Sequence, residues 1–100
     1  MMLLITGTVR LPADNLDRAR PAMRAMIAAS RAEDGCLDYG YAEDVIDRGL
    51  IHVRELWRDE EAFAAHLATG HLAAWRAAWP ALGLGERDLQ RWSVSGSQPA

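Results

Sequence analysis

Hydrophobic positions along the chain change period several times, and each change marks an element. Leu3, Ile5, Gly7 and Val9 alternate with Leu4, Thr6, Thr8 and Arg10, the two-residue period of a strand whose faces are both partly apolar. Pro12 ends it, and Asp14 or Asn15 can cap the next element. From Leu16 the inward positions take helical spacing through Ala19, Met23, Ile27 and Ser30, with Ala22, Met26 and Ala29 widening the stripe. This predicts a first helix running to about Glu33. Pro21 removes one helical hydrogen bond, so it predicts either a kink or a helix whose first regular turn begins there.

Asp34-Gly35 closes the helix, because glycine accepts a left-handed C-terminal conformation. Cys36 to Glu43 then sets Leu37, Tyr39 and Tyr41 against Cys36, Asp38, Gly40 and Ala42. After the polar turn Asp47-Arg48-Gly49, Leu50 to Arg58 completes a predicted antiparallel hairpin. On its second strand Ile51, Val53, Glu55 and Trp57 share one face, and Leu50, His52, Arg54 and Leu56 the other. Asp59 is placed to cap a helix that carries Glu60 and Glu61 in its first turn, where negative charge is favoured. That helix buries Phe63 and Leu67, breaks near Thr69-Gly70, and resumes through Leu72, Trp75, Ala78 and Trp79 until Pro80. Gly83 and Gly85 mark a turn before a last strand, Arg87 to Val94, and residues 95–100 are expected to form a loose tail.

The order β-α-β-β-α-β predicts one ferredoxin-like α+β domain over residues 1–100: a four-stranded antiparallel sheet with the helices on one face. The other face keeps Leu4, Leu50, Leu56 and part of the last strand. A contiguous apolar patch of that kind predicts a homodimer through the open sheet, with His52 at the interface.

Composition narrows the function classes. The chain has 100 residues, half of them hydrophobic and a quarter charged, with a net charge of −3. That is the balance of a single soluble domain. The eleven cations, all arginine, form no block, which argues against nucleic acid and anionic membranes as partners. The absence of lysine removes Schiff-base chemistry. One cysteine, Cys36, makes no internal disulfide and reads as a small buried hydrophobe in a reducing compartment. The N-terminus offers neither a basic leader nor an apolar run long enough for a signal peptide or a membrane span, so a cytoplasmic location is expected.

The segment from Glu55 to His71 concentrates the candidate chemistry: a carboxylate, a large aromatic and two of the three histidines. Together with Ser30-Arg31-Ala32-Glu33-Asp34-Gly35-Cys36-Leu37-Asp38-Tyr39 and Glu55-Leu56-Trp57-Arg58-Asp59, it resembles the antibiotic biosynthesis monooxygenase family over roughly residues 3 to 94. The resemblance implies a dimeric α+β barrel. The activities it implies are cofactor-free oxygenation of hydroquinones or anthrones, haem degradation, or isomerisation of a small phosphorylated sugar, and the family also holds members of no known activity. Haem degraders of the family carry an asparagine on the first strand, whereas Asn15, at the start of the first helix, is the only asparagine here. That argues against haem. The anthrone oxygenases that place an asparagine on the strand before the tryptophan find Val53 in that region.

The expectation is therefore a cofactor-independent monooxygenase of a small aromatic or quinol, with a non-catalytic small-molecule-binding or stress-response domain, or an isomerase of a small polar substrate, as alternatives. Once deprotonated, an electron-rich phenol can pass an electron to O2 directly, so the site needs a base and a dry pocket but no metal. His71, aimed inward after Gly70, is the expected base. His66 is second and Glu55 third, unless Glu55 is neutralised by Arg31 or another arginine. Trp57, Tyr39 and Tyr41 are placed to stack on the ring, and Phe63 and Trp75 to wall it. Residues five apart on an uninterrupted helix lie about 140° around the axis, so His66 and His71 do not form a helical zinc motif.

Overall fold

The alternation at the N-terminus is realised as β1 (Met2–Arg10) in a computed structural model that describes residues 1–100. A 3-10 turn at Ala13–Asn15 leads into α1 (Leu16–Arg31), followed by β2 (Cys36–Glu43), β3 (Leu50–Trp57), α2 (Glu60–Leu67), α3 (Gly70–Leu82) and β4 (Glu86–Val94). All strands pair antiparallel in one sheet of order β2-β3-β1-β4. This is the ferredoxin-like α+β arrangement.

Strand parity decides what each face carries. Leu3, Ile5 and Val9 of β1 pair with Trp57, Glu55 and Ile51 of β3, and all six are buried. They pack under Leu16, Ala19, Met23 and Met26 of α1 and Leu72, Trp75 and Leu82 of α3, so the core lies between sheet and helices. The opposite face bears Leu4, paired with Leu56 on one side and Trp92 on the other. Trp92 stays 51% exposed there, its indole N–H donating to the Thr6 hydroxyl at 3.0 Å. His52 shares this face, with Nε2 2.7 Å from Asp44 Oδ1. That contact, with the backbone N–H groups of Asp47 and Ile46, holds the Asp44 carboxyl down at about 2.

The structure changes the reading at β2. A bulge between Cys36 and Asp38 inserts one residue into the alternation, so Leu37 turns outward, 52% exposed. Tyr39 and Tyr41 then sit opposite Glu55 and Val53 on the inner face. The helices also run through Pro21 and Pro80: the first regular turn does not begin at Pro21, and Pro80 does not end its helix. α1 begins at Leu16, so Pro21 lies inside it. α3 runs past Pro80 to Leu82 and ends at Gly83, whose φ of 72° is the left-handed cap. Proline's own φ is helical, so each ring removes one bond without ending the helix.

Gly7 fixes where β4 lies. A Cβ there would stand 2.0 Å from the carbonyl oxygen of Asp88, and only glycine lets β4 approach β1 so closely. With β4 in that register, Arg87, Leu89 and Arg91 pair with Val9, Gly7 and Ile5 and face the helices. No helix is long and apolar enough to cross a membrane.

Candidate functional site

Glu55 and Trp57 lie two apart on β3, so their side chains leave the same face. Trp57 Nε1 donates to Glu55 Oε1 at 3.0 Å. This bond, not an arginine, is the partner that the buried carboxyl finds. Arg31 instead donates its Nε to the Tyr39 carbonyl at 2.7 Å, so the expected Glu55–Arg31 salt bridge is not formed. Burial pushes the Glu55 carboxyl above its ordinary range, while the Trp57 N–H and the nearby His66 pull it back.

His66 enters from the last turn of α2. It is 2% exposed, with its ring centroid 4.6 Å from that of Trp57 and its Nε2 3.9 Å from Glu55 Oε1. The other ring nitrogen, Nδ1, lies 2.7 Å from Oε2 of Glu33, which follows the end of α1. His71, in the first turn of α3, places Nε2 2.8 Å from the same Glu33 oxygen. One carboxylate oxygen thus accepts from two imidazoles, since a carboxylate has no proton to give. In the neutral ring this would put the proton on Nδ1 and leave the lone pair on Nε2.

Thr69 makes this convergence possible. Its hydroxyl donates to the His66 carbonyl at 2.7 Å and accepts from the Leu72 N–H at 3.4 Å, ending α2 and capping α3. Gly70, expected to aim His71, would have nothing within 4 Å of an added Cβ and is not conformationally required. Because the helix is broken here, His66 and His71 escape the angular separation that an uninterrupted helix would impose. The rings lie 6.1 Å apart, and Glu33, His66 and His71 offer ligand atoms within 4.8 Å of one another, the one such set that could hold a metal. Their two contacts are those of hydrogen bonds. A metal bonded at about 2.1 Å to nitrogen and oxygen would hold those atoms roughly 3 Å or more apart.

Beside this line of residues lies a cavity of about 190 Å³, walled by Tyr39, Tyr41, Glu55, Phe63, His66 and Trp79 among others. Three of the expected residues lie outside its wall. His71 is on the far side of Glu33, with its side chain 25% exposed. Trp57 is fully buried behind Glu55 and His66. Trp75 is also buried, edge-on to Tyr41 at 6.3 Å. The Tyr39 hydroxyl is anchored by donation to the Met26 sulfur at 3.2 Å, and burial pushes both tyrosine phenols up. Neither phenol is a base near neutrality. Burial and neighbouring carboxylates also push the Cys36 thiol up, which disfavours its thiolate.

Sequence reasoning missed three arginines and a tryptophan. Arg76, Arg87 and Arg91 line the cavity with Trp79. The signal was there as spacing: Leu72, Arg76 and Trp79 form one helical stripe, and Arg87, Leu89 and Arg91 one strand face. Trp79 Nε1 is buried without a hydrogen-bond partner, a state that costs about 1–3 kcal/mol.

A model of the antibiotic biosynthesis monooxygenase family matches residues 2–78, which contain Glu33, Glu55, His66, His71 and Arg76. The chain belongs to the antibiotic biosynthesis monooxygenase family. A Deinococcus radiodurans protein provisionally named as such a monooxygenase has the same fold, with a TM-score of 0.88 at 23% identity, covering 100% of this chain and 98% of that one. A Bacteroides thetaiotaomicron protein of unknown function, described as a possible oxidoreductase, superposes with a TM-score of 0.80 at 28% identity, over 91% of this chain and 95% of that one. The uncharacterized protein sll1783 of Synechocystis is 25% identical over 67 residues, 67% of this chain; that match spans 46%, under half, of sll1783's length. Within the family frame, β4 and its two arginines lie beyond the matched segment.

Proposed function

We propose that this member of the family is a cofactor-independent monooxygenase that oxidises a single-ring hydroquinone or related phenol with O2. The observation that carries the reading is His66. It is buried in the cavity wall, Nδ1 is tied to Glu33 at 2.7 Å, and Nε2 is left free to accept a proton from a ring seated among Tyr39, Tyr41 and Phe63. His66, not His71, is therefore the base, because His71 lies outside the cavity and acts only through Glu33. Trp57 supports the imidazole from behind, and Glu55 stands beside it in the cavity wall.

Cavity size favours one ring over three. A volume of about 190 Å³ compares with the roughly 150 Å³ that accommodates a benzene ring, so an anthrone would protrude through the mouth. In the reaction, the quinolate formed at His66 transfers an electron to O2. The resulting pair recombines at a ring carbon, and loss of water leaves a hydroxyquinone. One oxygen atom enters the product and the other leaves as water, so every electron that O2 accepts comes from the substrate.

The open sheet face supports a homodimer, because the row Leu56–Leu4–Trp92 would otherwise lie in water. The test of the activity is O2 uptake with a hydroquinone panel. His66→Ala should lower turnover by about 10²–10⁴-fold, the usual worth of a general base. His71→Ala should lower it far less, and raising the pH should partly rescue His66→Ala. Equal losses in the two variants would refute the assignment of the base, and no O2 uptake by the wild type with any quinol would refute the activity.

A further inference from the structure

Two of the three cavity arginines make no salt bridge, though both pull on the Glu55 carboxyl through space. Arg91 is ion-paired with Glu60 and lies over the Phe63 ring at 5.3 Å. Arg76 and Arg87 make no salt bridge, and both guanidinia lie over the Trp79 ring, at 5.9 and 5.6 Å. They come from different elements, α3 and β4, and meet only because both face the cavity. Glu55 is the carboxyl in the same wall, and it is already held by Trp57. The mouth therefore presents two exposed guanidinia that make no salt bridge in a chain whose net charge is −3. Unpaired guanidinia supported on an aromatic face are built to receive a planar or tetrahedral oxyanion through paired N–H groups.

We propose that the natural substrate is an aromatic carrying an oxyanion, a carboxylate or phosphate, held by Arg76 and Arg87 at the mouth while its phenolic hydroxyl reaches His66. This deepens the oxygenase reading and rests on it for the reaction, but not for the binding. Binding orients the ring by its two ends: the anion at the guanidinia, the hydroxyl at the imidazole. Neutral quinols would bind with one end unheld.

The test uses redox-inert ligands on the intact protein, so that it needs no turnover. Affinities for phenol, 4-hydroxybenzoate and phenyl phosphate are measured by calorimetry in the wild type, Arg76→Gln and Arg87→Gln. At least one anion should bind roughly 10–100-fold tighter than phenol, the worth of a hydrogen bond to a charged group. Each variant should lose most of that preference while keeping its affinity for phenol, which also shows that it folds. Arg87→Lys should recover part of the loss, and added salt should weaken only the anions. Which of the two anions gains more tells carboxylate from phosphate. Equal affinity for all three ligands, or a preference that survives both glutamine variants, would overturn the proposal. O2 uptake with 2,5-dihydroxybenzoate separates the two readings. Anion binding without O2 uptake leaves this proposal standing and removes the oxygenase, whereas O2 uptake that favours unsubstituted hydroquinone does the reverse.

Discussion

His66 Nδ1 stands 2.7 Å from Glu33 Oε2, joining the last turn of α2 to the second residue past α1. The pair fixes which imidazole nitrogen faces the cavity. Glu33→Ala should therefore lower turnover without removing the base, by roughly 10–100-fold if the lost bond is of the charge-assisted kind. The ring should also lose its fixed tautomer, read by 15N chemical shifts of the imidazole. An unchanged spectrum would show that Glu33 does not hold His66.

Glu55 should make stability fall as pH rises. Its carboxyl is raised in the folded protein, chiefly by burial, so the folded state binds the proton more tightly than the unfolded state. Stability is then fully present below the ordinary value of 4.5 and is lost as pH climbs through the raised folded value. Glu55→Gln keeps an acceptor for the Trp57 N–H and removes the ionisation. At neutral pH the variant should melt higher than the wild type, and the gap should close at about pH 4. Melting curves at the two pH values decide it; a variant that melts lower at both would rule out a raised Glu55.

Trp57 is fully buried against His66 and Phe63. Trp57→Ala should cost about 3–5 kcal/mol in urea unfolding, from lost transfer energy and the cavity left behind. It should also free Glu55 and His66 to move, so turnover should fall even where the variant is folded. A loss in stability below about 1 kcal/mol would mean that the ring is not packed as described.

The proposed dimer is checked by light scattering at micromolar concentration, with an expected mass of twice the 11.0 kDa chain. Trp92→Glu places a charge on the row that Leu4 and Leu56 continue and should shift the mass to that of one chain. A wild type already at 11.0 kDa would remove the interface.

Local signals carried the fold. The alternation from Leu3 to Arg10 places strand β1, the Asp59 cap does accept from the Ala62 N–H at 2.9 Å, and the helical stripe of α1 is the one that is buried. Each depends on neighbours within a few residues, where backbone geometry leaves few choices. The family was legible for the same reason, as short motifs in order.

The site depended on distances that no local pattern encodes. Glu33 is 33 positions from His66 and 38 from His71, and the three meet because α1 packs across α3 while Thr69 breaks the helix between the two imidazoles. Periodicity alone made Trp57 and Glu55 neighbours on one face; it did not say that Trp57 would stand behind Glu55 and outside the cavity. Arg87 and Arg91 were visible as alternate residues, but only the register of β4 against β1, permitted by Gly7, turns them toward the helices. A period determines which side chains share a face, and the packing of elements far apart in the chain decides what that face meets.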